Sequence, residues 1–349
     1  MEQHYVALDM GSSNGKIVRA YLDKEKKLIM REVGRFPTPR IWINGHVRTD
    51  IYGVYKEVCN ALSRLSINGM KIKSFGADSW SSDFGLITPE GELLGLPIFY
   101  RDKWTDGIPE EVEKFINYQE LYTLTTQRRM RDATLCQLLA LKKESPELLN
   151  NGNKLTCLGD ILMYFFSGKV CSEISVASYS QLFSMKNMCW ENQVFDLFGI
   201  PKGIQPRIVH AGEYLGKISA EQARVLGVNC FEVIAPPVHD TAAAGVAVPA
   251  KKEENWAYLA TGSWYLVSME IDKPADLFLS YRYNLSNTGL AFGNTLLKRN
   301  VCAMWLIQEC RRSWLKSRPD CDYQMITALA SHAKPFAGMI VVFIIQMIW

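Results

Sequence analysis

The sequence predicts an α/β protein of two similar halves that face each other across a cleft, and three observations carry that reading. Two stretches share one design: Tyr5-Val-Ala-Leu-Asp9-Met-Gly11-Ser12-Ser13-Asn14-Gly15-Lys16 and Tyr258-Leu-Ala-Thr261-Gly262-Ser263-Trp264 each run apolar, break at a Gly/Ser/Thr turn and resume as a second apolar run. Such turns present backbone N–H groups and hydroxyls at close range, because glycine lets the backbone bend where a side chain would collide. Two of them facing each other would clasp a polyphosphate. Strand-like runs alternate with helical ones, which is the pattern of a mixed fold. Finally, 349 residues are enough for two domains and too many for one ordinary core.

The elements follow in order. β-Rich runs at 5–10, 16–22 and 27–36 open the chain, the first two separated only by the glycine turn. Ile51, Val54, Tyr55, Val58, Leu62 and Leu65 then recur at helical spacing, which predicts an amphipathic helix able to cover a sheet. Residues 72–77 read as the next strand, and 84–88 with 93–96 as a hairpin around Pro89-Glu90-Gly91-Glu92. Strand, strand, strand, helix, strand is the order of an actin-like, ribonuclease-H-type half. From 109 to 166 the pattern is mostly helical, an insertion suited to walling a pocket. Apolar character returns at 233–237, and the expected domain boundary lies at about residue 245, giving domains 1–245 and 246–349. The second half repeats the first in outline, with strands at 256–260, 265–269, near 279–284 and at 290–297, and a helix over 300–315.

Composition narrows the function classes. Charged residues make up 21% against 48% hydrophobic, with a net charge of +3, as in a soluble globular protein. Arg128-Arg129 and Arg311-Arg312 are isolated pairs rather than a basic stripe, so nucleic acid is not an expected partner. The nine cysteines are scattered without a C-x-x-C pair and read as buried small hydrophobes in a reducing compartment. Met-Glu-Gln-His carries neither a basic nor an apolar leader region, so the expected location is cytoplasmic. The apolar end at 339–349 is shorter than the roughly 20 residues of a membrane span. A buried strand is one reading of it; the preferred one is a chain cut short, with 336–349 a tail read out of frame.

Three clusters carry candidate chemistry. Gly11-x-x-x-Gly15-Lys16 is one residue short of a Walker A loop, and it joins two strands rather than a strand and a helix. Phosphate would be held by a hairpin tip, with Asp9 suited to a magnesium ion and Lys16 to charge on a transferring phosphoryl group. The alternative is an ordinary β-turn beside a salt bridge. In Pro236-Pro237-Val238-His239-Asp240-Thr241-Ala242-Ala243-Ala244-Gly245, Asp240 suits a general base, or else a helix cap worth about 1 kcal/mol. Asp78-Ser79-Trp80-Ser81-Ser82-Asp83, with Tyr100-Arg101-Asp102, joins hydrogen-bonding groups to an aromatic platform, as a polyhydroxyl ligand requires; the alternative is a polar loop with a packed tryptophan.

Taken in one order, these motifs resemble the FGGY carbohydrate kinases, within the sugar kinase, hsp70 and actin superfamily, and there the rhamnulokinase-like branch. The residues that carry the resemblance are Val6-Ala-Leu-Asp9-Met-Gly11-Ser12-Ser13, Gly76-Ala-Asp78-Ser-Trp80-Ser-Ser-Asp83-Phe84, Gly95-Leu-Pro97 with Tyr100-Arg101-Asp102, His239-Asp240-Thr241-Ala242, Thr261-Gly262-Ser263-Trp264, and Asn300 with Trp305 and Gln308. The resemblance implies two ribonuclease-H-like domains, the second incomplete: a sugar-binding 1–245 and a partial nucleotide-binding 246–349. It implies Asp240 as catalytic base, with His239, Ser81 and Asp83 at the sugar. Ser12, Ser13, Asn14, Gly15, Lys16 and Ser263 would line the phosphates of ATP, Asn300 and Gln308 would face the nucleotide, and Asp9 would serve Mg2+.

The expected activity is ATP-dependent phosphorylation of a deoxyketose such as L-rhamnulose. The alternatives are a kinase for L-fuculose, xylulose or glycerol, or a sugar-binding relative without catalysis; an actin-like ATPase scaffold fits the sugar-facing cluster less well. The expected partners are a sugar, ATP and a second copy of the chain, with no membrane. Three departures from the family pattern stand out. Ser81 replaces a usual glycine, Lys16 keeps the charge of a common arginine but not its planar fork, and the glycine-rich adenine-binding segment lies beyond the matched part.

Overall fold

The computed structural model describes residues 3–150, 152–251, 256–261 and 264–335. The chain opens with β1 (His4–Met10), β2 (Asn14–Leu22) and β3 (Leu28–Pro37), then helix α1 (Ile51–Ile67), then β4 (Ile72–Ser79). Two short strands, β5 (Phe84–Ile87) and β6 (Lys154–Cys157), pair with each other across an insertion that holds α2 (Ile108–Val112), α3 (Tyr118–Thr125) and α4 (Thr134–Glu144). After α5 (Leu158–Ser167) and α6 (Ile174–Ala177), strands β7 (Tyr214–Lys217) and β8 (Glu232–Ile234) complete the first sheet. Its order is β7-β8-β4-β1-β2-β3, with β8, β4 and β1 parallel and the remaining pairs antiparallel.

The local causes are readable. Along β1, Val6, Leu8 and Met10 are buried and alternate with exposed or partly exposed neighbours, the two-residue period of a half-buried strand. Helix α1 starts where the Asp50 carboxylate accepts the N–H of Gly53 at 2.9 Å, and it buries Ile51, Val54, Val58 and Leu62 completely. One core lies between the first sheet, α1 and α5, built on Leu8, Val58, Leu62, Phe75, Leu162 and Phe166. A second, inside the insertion, gathers Phe84, Tyr118, Leu121, Leu138, Phe183 and Phe195. Helix α7 (Asp240–Val246) leaves the first sheet. Strands β9 (Tyr258–Ala260), β10 (Trp264–Ile271), β11 (Ser286–Gly289) and β12 (Thr295–Cys302) make an antiparallel sheet of order β9-β10-β12-β11, with α8 (Leu277–Arg282) before β11 and α9 (Met304–Trp314) and α10 (Tyr323–His332) after β12.

Several expectations are corrected. The strand expected near 279–284 is helix α8, because Asp276 caps it by accepting the N–H of Leu279 at 2.8 Å. The strand at 290–297 begins only at Thr295, after a turn in which Phe292 adopts a φ of 61°. The helix at 300–315 begins at Met304; pairing of Leu266 with Asn300 and of Tyr265 with Val301 holds those residues in β12. Residues 93–96 contribute one bridge, Ile87 to Leu93, while β5 takes its ladder from β6, a strand inside the run read as helical. Cys59, Cys136, Cys157, Cys171 and Cys321 are buried as expected, but Cys189, Cys230 and Cys310 are exposed.

Asn287 joins the two parts. It is fully buried on β11, its carbonyl accepts the Thr126 hydroxyl at 2.7 Å and the Gln127 amide at 2.9 Å, and its Oδ1 accepts the N–H of Ala275 at 2.8 Å. Its Nδ2 donates to the Tyr122 hydroxyl, which in turn donates to the Leu285 carbonyl at 2.8 Å. The Asn287→Ala variant strands the half-buried Ala275 N–H and removes the buried Nδ2 donor to Tyr122, and it is expected to lose about 1–3 kcal/mol of stability. Thermal denaturation checks this: an unchanged midpoint would show that the joint does not depend on the side chain.

Candidate active site

The site lies where the parallel strands end. The β1/β4 register sets Asp9 beside Asp78, and the β4 ladder continues past β8 through the Ser79 N–H, which donates to the Val238 carbonyl at 2.8 Å. His239 and Asp240 therefore emerge next to the two aspartates, at the strand ends where open α/β sheets bind ligands. Their backbone is clamped from below. Glu173, fully buried, accepts the Val238 N–H at 2.9 Å and the Ser175 hydroxyl, and Ser175 Oγ accepts the N–H of His239 at 2.9 Å. Sequence reasoning missed Glu173 and Ser175; the signal was a polar Ser172-Glu173 and Ser175 in an otherwise apolar run. Burial pushes Glu173 up to about 7 against the hydrogen bonds it accepts.

His239 stands at the N-cap of α7, and the N–H of Thr241 lies 3.1 Å from its Nδ1 and 2.5 Å from Asp240 Oδ1, so the Asp240 carboxylate shares the cap. The same Nδ1 lies 2.8 Å from Asp240 Oδ1, which also accepts the Thr241 hydroxyl at 3.1 Å. Asp240 is 43% exposed. Crowding by protein raises its affinity for a proton, but water still reaches it, and hydrogen bonds and charge from His239 and Thr241 prevail, so its pKa is lowered. His239 is held below its ordinary value by burial and then by Lys298, against the pull of Asp240. The pair is a neutral imidazole beside a carboxylate, a charge state suited to accepting a proton.

The β1–β2 hairpin stands beside it. Asp9 and Lys16 face each other in register, with Lys16 Nζ 3.1 Å from Asp9 Oδ2 and both side chains half exposed, so the pair adds little stability and remains open to a ligand. Ser12 and Ser13 form the bend, which Thr38 secures by donating its hydroxyl to the Gly11 carbonyl at 2.7 Å and its N–H to the Ser13 carbonyl at 3.1 Å. A Cβ at Gly15 would lie 2.4 Å from Phe36 Cζ, so any larger residue there would have to displace that ring. Asn14 accepts from Arg35, which brings a second cation to the hairpin. Asp78 is half-buried with its Oδ1 buried and unpartnered, and desolvation, then Asp9 and Asp240, hold it well above the usual carboxylate range.

The third cluster forms the adjoining wall. The Asp83 carboxylate accepts from Trp80 Nε1 at 2.9 Å, from the Tyr100 N–H at 3.1 Å and from Gln137 Nε2 at 3.2 Å. Asp83 is fully buried and pushed up to about 7 by desolvation, so it braces Trp80 and Tyr100 from behind. Ser81 is buried, and Ser82 adopts a φ of 105°, a conformation that favours glycine and marks local strain. Ser12 favours the ionised form of the Tyr100 phenol against the effect of burial, which links wall to hairpin. Asn300 acts in the same way on Tyr179, whose ring meets His239 edge-on at 5.1 Å. Gln308 lies on α9, half-buried. Ser263 falls outside the described residues.

Residues 4–247 match the model of the FGGY family of carbohydrate kinases, N-terminal domain. The chain belongs to the FGGY family. Over 341 residues it is 33% identical to a rhamnulokinase of Bacteroides thetaiotaomicron, covering 97% of this chain and 69% of the relative. A rhamnulokinase of Oceanobacillus iheyensis is 32% identical over 314 residues, covering 90% of this chain and 66% of the relative. The chain thus spans about two thirds of the length of these FGGY proteins. Among solved structures, the ligand-bound xylulose kinase of Lactobacillus acidophilus superposes with a TM-score of 0.79 at 19% identity, over 95% of this chain and 66% of that one, a likeness of fold.

The acids of this FGGY site impose a pH signature. A carboxyl whose folded value lies above its unfolded value of about 3.9 contributes stability that is full below the unfolded value and lost as pH rises toward the folded one. Asp78, Asp83 and Glu173 all have that sign. The isosteric Asp78→Asn variant is expected to gain in melting temperature over the parent at pH 7.5, with the gap closing toward pH 4. A gap independent of pH would show Asp78 to be ionised in the fold.

Proposed function

We propose that this chain binds a ketose, with L-rhamnulose as the substrate to test first, and phosphorylates its primary hydroxyl from ATP with Asp240 as general base. One observation carries the proposal: the His239–Asp240 pair and the Lys16 hairpin share one sheet edge, putting a carboxylate and a phosphate-type turn side by side. The names of the relatives support the sugar, and the fold likeness supports the kinase architecture. In this reading 1–245 is the sugar-binding domain and 246–349 belongs to the nucleotide-binding domain, and the enzyme works in the cytoplasm.

The step is an in-line displacement. Asp240 accepts the hydroxyl proton as the sugar oxygen forms its bond to the γ-phosphorus, the bond from that phosphorus to the bridging oxygen breaks, and ADP leaves. His239 orients the carboxylate and faces the sugar beside Ser81. Trp80 and Tyr100 form the wall, and Asp83 acts through them. Ser12, Ser13, Asn14, Gly15 and Lys16 receive the phosphates from one side and Ser263 from the other, with Asn300 and Gln308 toward the nucleotide.

Mg2+ fits this arrangement modestly. Among the described residues no three acids or histidines converge on one point, but the half-open carboxylate of Asp9, beside the unpartnered Asp78 oxygen, suits a cation held mainly by nucleotide phosphates. Asp9 would hold it, and the ion would neutralise phosphate charge.

Loss of the base is expected to cost about 10²–10⁴ in turnover. Coupled ADP-release measurements on Asp240→Asn, over a panel of L-rhamnulose, L-fuculose, xylulose and glycerol, read that loss, while calorimetry should show sugar affinity retained. A near-parental rate in Asp240→Asn would remove Asp240 from the role. Sugar binding without ATP binding or ADP release would make the chain a sugar-binding protein rather than a kinase.

A further inference from the structure

The second sheet drives one charged side chain into the first half. Lys298, on β12, is 1% exposed and ranks with the largest completely buried side chains of the protein. Strand alternation explains its direction: Leu296, Lys298 and Asn300 share the face of β12 that turns toward α7 and the cleft, while Arg299 points to solvent. Burying an ammonium group is costly unless partners receive it. No carboxylate lies within salt-bridge distance of it among the described residues. Its partners are instead His239 Nε2, 3.1 Å from Nζ, and the ring face of Tyr179, with Nζ 4.5 Å from the centroid. A lysine spent on a neutral imidazole is unusual in a core, and this imidazole touches the carboxylate at the centre of the site.

The hydrogen-bond logic leads further. An imidazole carries one proton when neutral, so the role of one nitrogen sets the role of the other. An ammonium at Nε2 can only donate, which makes Nε2 the acceptor and places the ring proton on Nδ1, 2.8 Å from Asp240 Oδ1; the Thr241 N–H, 3.1 Å from Nδ1, is then satisfied by Asp240 Oδ1 at 2.5 Å instead. With the proton on Nε2 instead, the Nδ1 lone pair would face the carboxylate, an electrostatic repulsion. We propose that Lys298 is a positioning residue that fixes His239 in the Nδ1–H tautomer, so that His239 donates to Asp240 and aims its carboxylate. The residue acts from one sheet on the other: β12 belongs to the second sheet, and the pair it organises sits at the end of the first.

The groups around Lys298 are few. His239 and Asp240 lie at the start of α7, Tyr179 follows α6, Arg128 lies on the loop after α3, and Ser268 and Ser286 are its register partners on β10 and β11. Burial pushes the amine down to about 7, with Asp240 opposing and Arg128 adding to the fall. A neutral amine can accept from Nε2–H, so the constraint on His239 relaxes as pH rises through that region. An arginine in place of Lys298 would stay charged throughout.

This inference rests on the kinase reading for its purpose, but its test does not. Long-range 15N correlation spectra of the histidine-labelled protein report which ring nitrogen bears the proton, with His239 assigned from the spectrum of His239→Gln. The expected parental result is the Nδ1–H tautomer at pH 6, giving way to a mixture above pH 8. Lys298→Met is expected to show the mixture or Nε2–H at both values, and Lys298→Arg the Nδ1–H form at both. A parental ring that is Nε2–H at pH 6, or a tautomer constant from pH 6 to pH 9, overturns the proposal without any variant having to fold. Kinetics supply the second arm: with ADP release established, Lys298→Met should lower kcat with KM for the sugar unchanged and shift the acid limb of the pH profile upward. An unmoved acid limb would reduce Lys298 to a packing role. Failure of ADP release in the parent would overturn the kinase reading and leave the tautomer result standing.

Discussion

Everything at the candidate site depends on the register of β1 between an antiparallel β2 and a parallel β4. That one pairing sets Asp9 opposite Lys16 on one side and beside Asp78 on the other. A slip of one residue would turn Val6, Leu8 and Met10 out of the core and send Asp9 into it, so the hydrophobic alternation of the strand fixes the position of the charge. The same ladder carries on through Ser79 to Val238 and delivers His239 and Asp240 to the same edge. A candidate base and a candidate phosphate hairpin are neighbours because three parallel strands end together.

That convergence brings carboxylates together, and the fold answers with asymmetry. Asp78 is half-buried beside Asp9 and Asp240 and its carboxyl is held well above the usual carboxylate range, while Asp9 has Lys16 and Asp240 has His239 and Thr241. Like charges gathered at one edge repel, and the fold gives two of the three a partner while the third gives up its charge more readily. Glu173 repeats the device one layer down, where its buried carboxylate holds the 238–239 backbone through Val238 and Ser175. The strained φ of Ser82 belongs to the same economy, since Thr134 anchors its carbonyl at 2.9 Å and keeps the wall in place.

The first half could be read from its sequence because its signals are local. The alternation of β1, the helical stripe from Ile51 to Leu65 and the glycine turn all act within a dozen residues. The errors fall where a local signal was overruled or overlooked. Residues 277–282 look like a strand by apolar content until the Asp276 cap is counted, and Asn300 looks helical until its partner Leu266 is known. Glu173 and Ser175 showed only as polar residues in an apolar run, and Tyr179 and Lys298 not even as that, because what makes Glu173, Ser175 and Lys298 part of the site is hydrogen bonding over 59 to 65 residues of separation. Of the residues expected together, Asp9, Lys16, His239 and Asp240 share the edge, Ser12 and Asn300 reach it through Tyr100 and Tyr179, and Asp83 stands one layer behind.

The two halves also share more than a boundary. Asn287 is tied to Thr126 and Gln127 of the first half, and it sits one residue beyond Ser286, the register partner of Lys298. The joint that docks β11 therefore also sets the depth of β12, and with it the distance from Lys298 to His239. Gly289, at the end of the same strand, donates to Ser178 at 2.8 Å, one residue before the Tyr179 on which Lys298 rests. Any displacement of the second sheet relative to the first would have to break or carry along these contacts, so the docking of β11 and the proton geometry of the candidate base are mechanically linked.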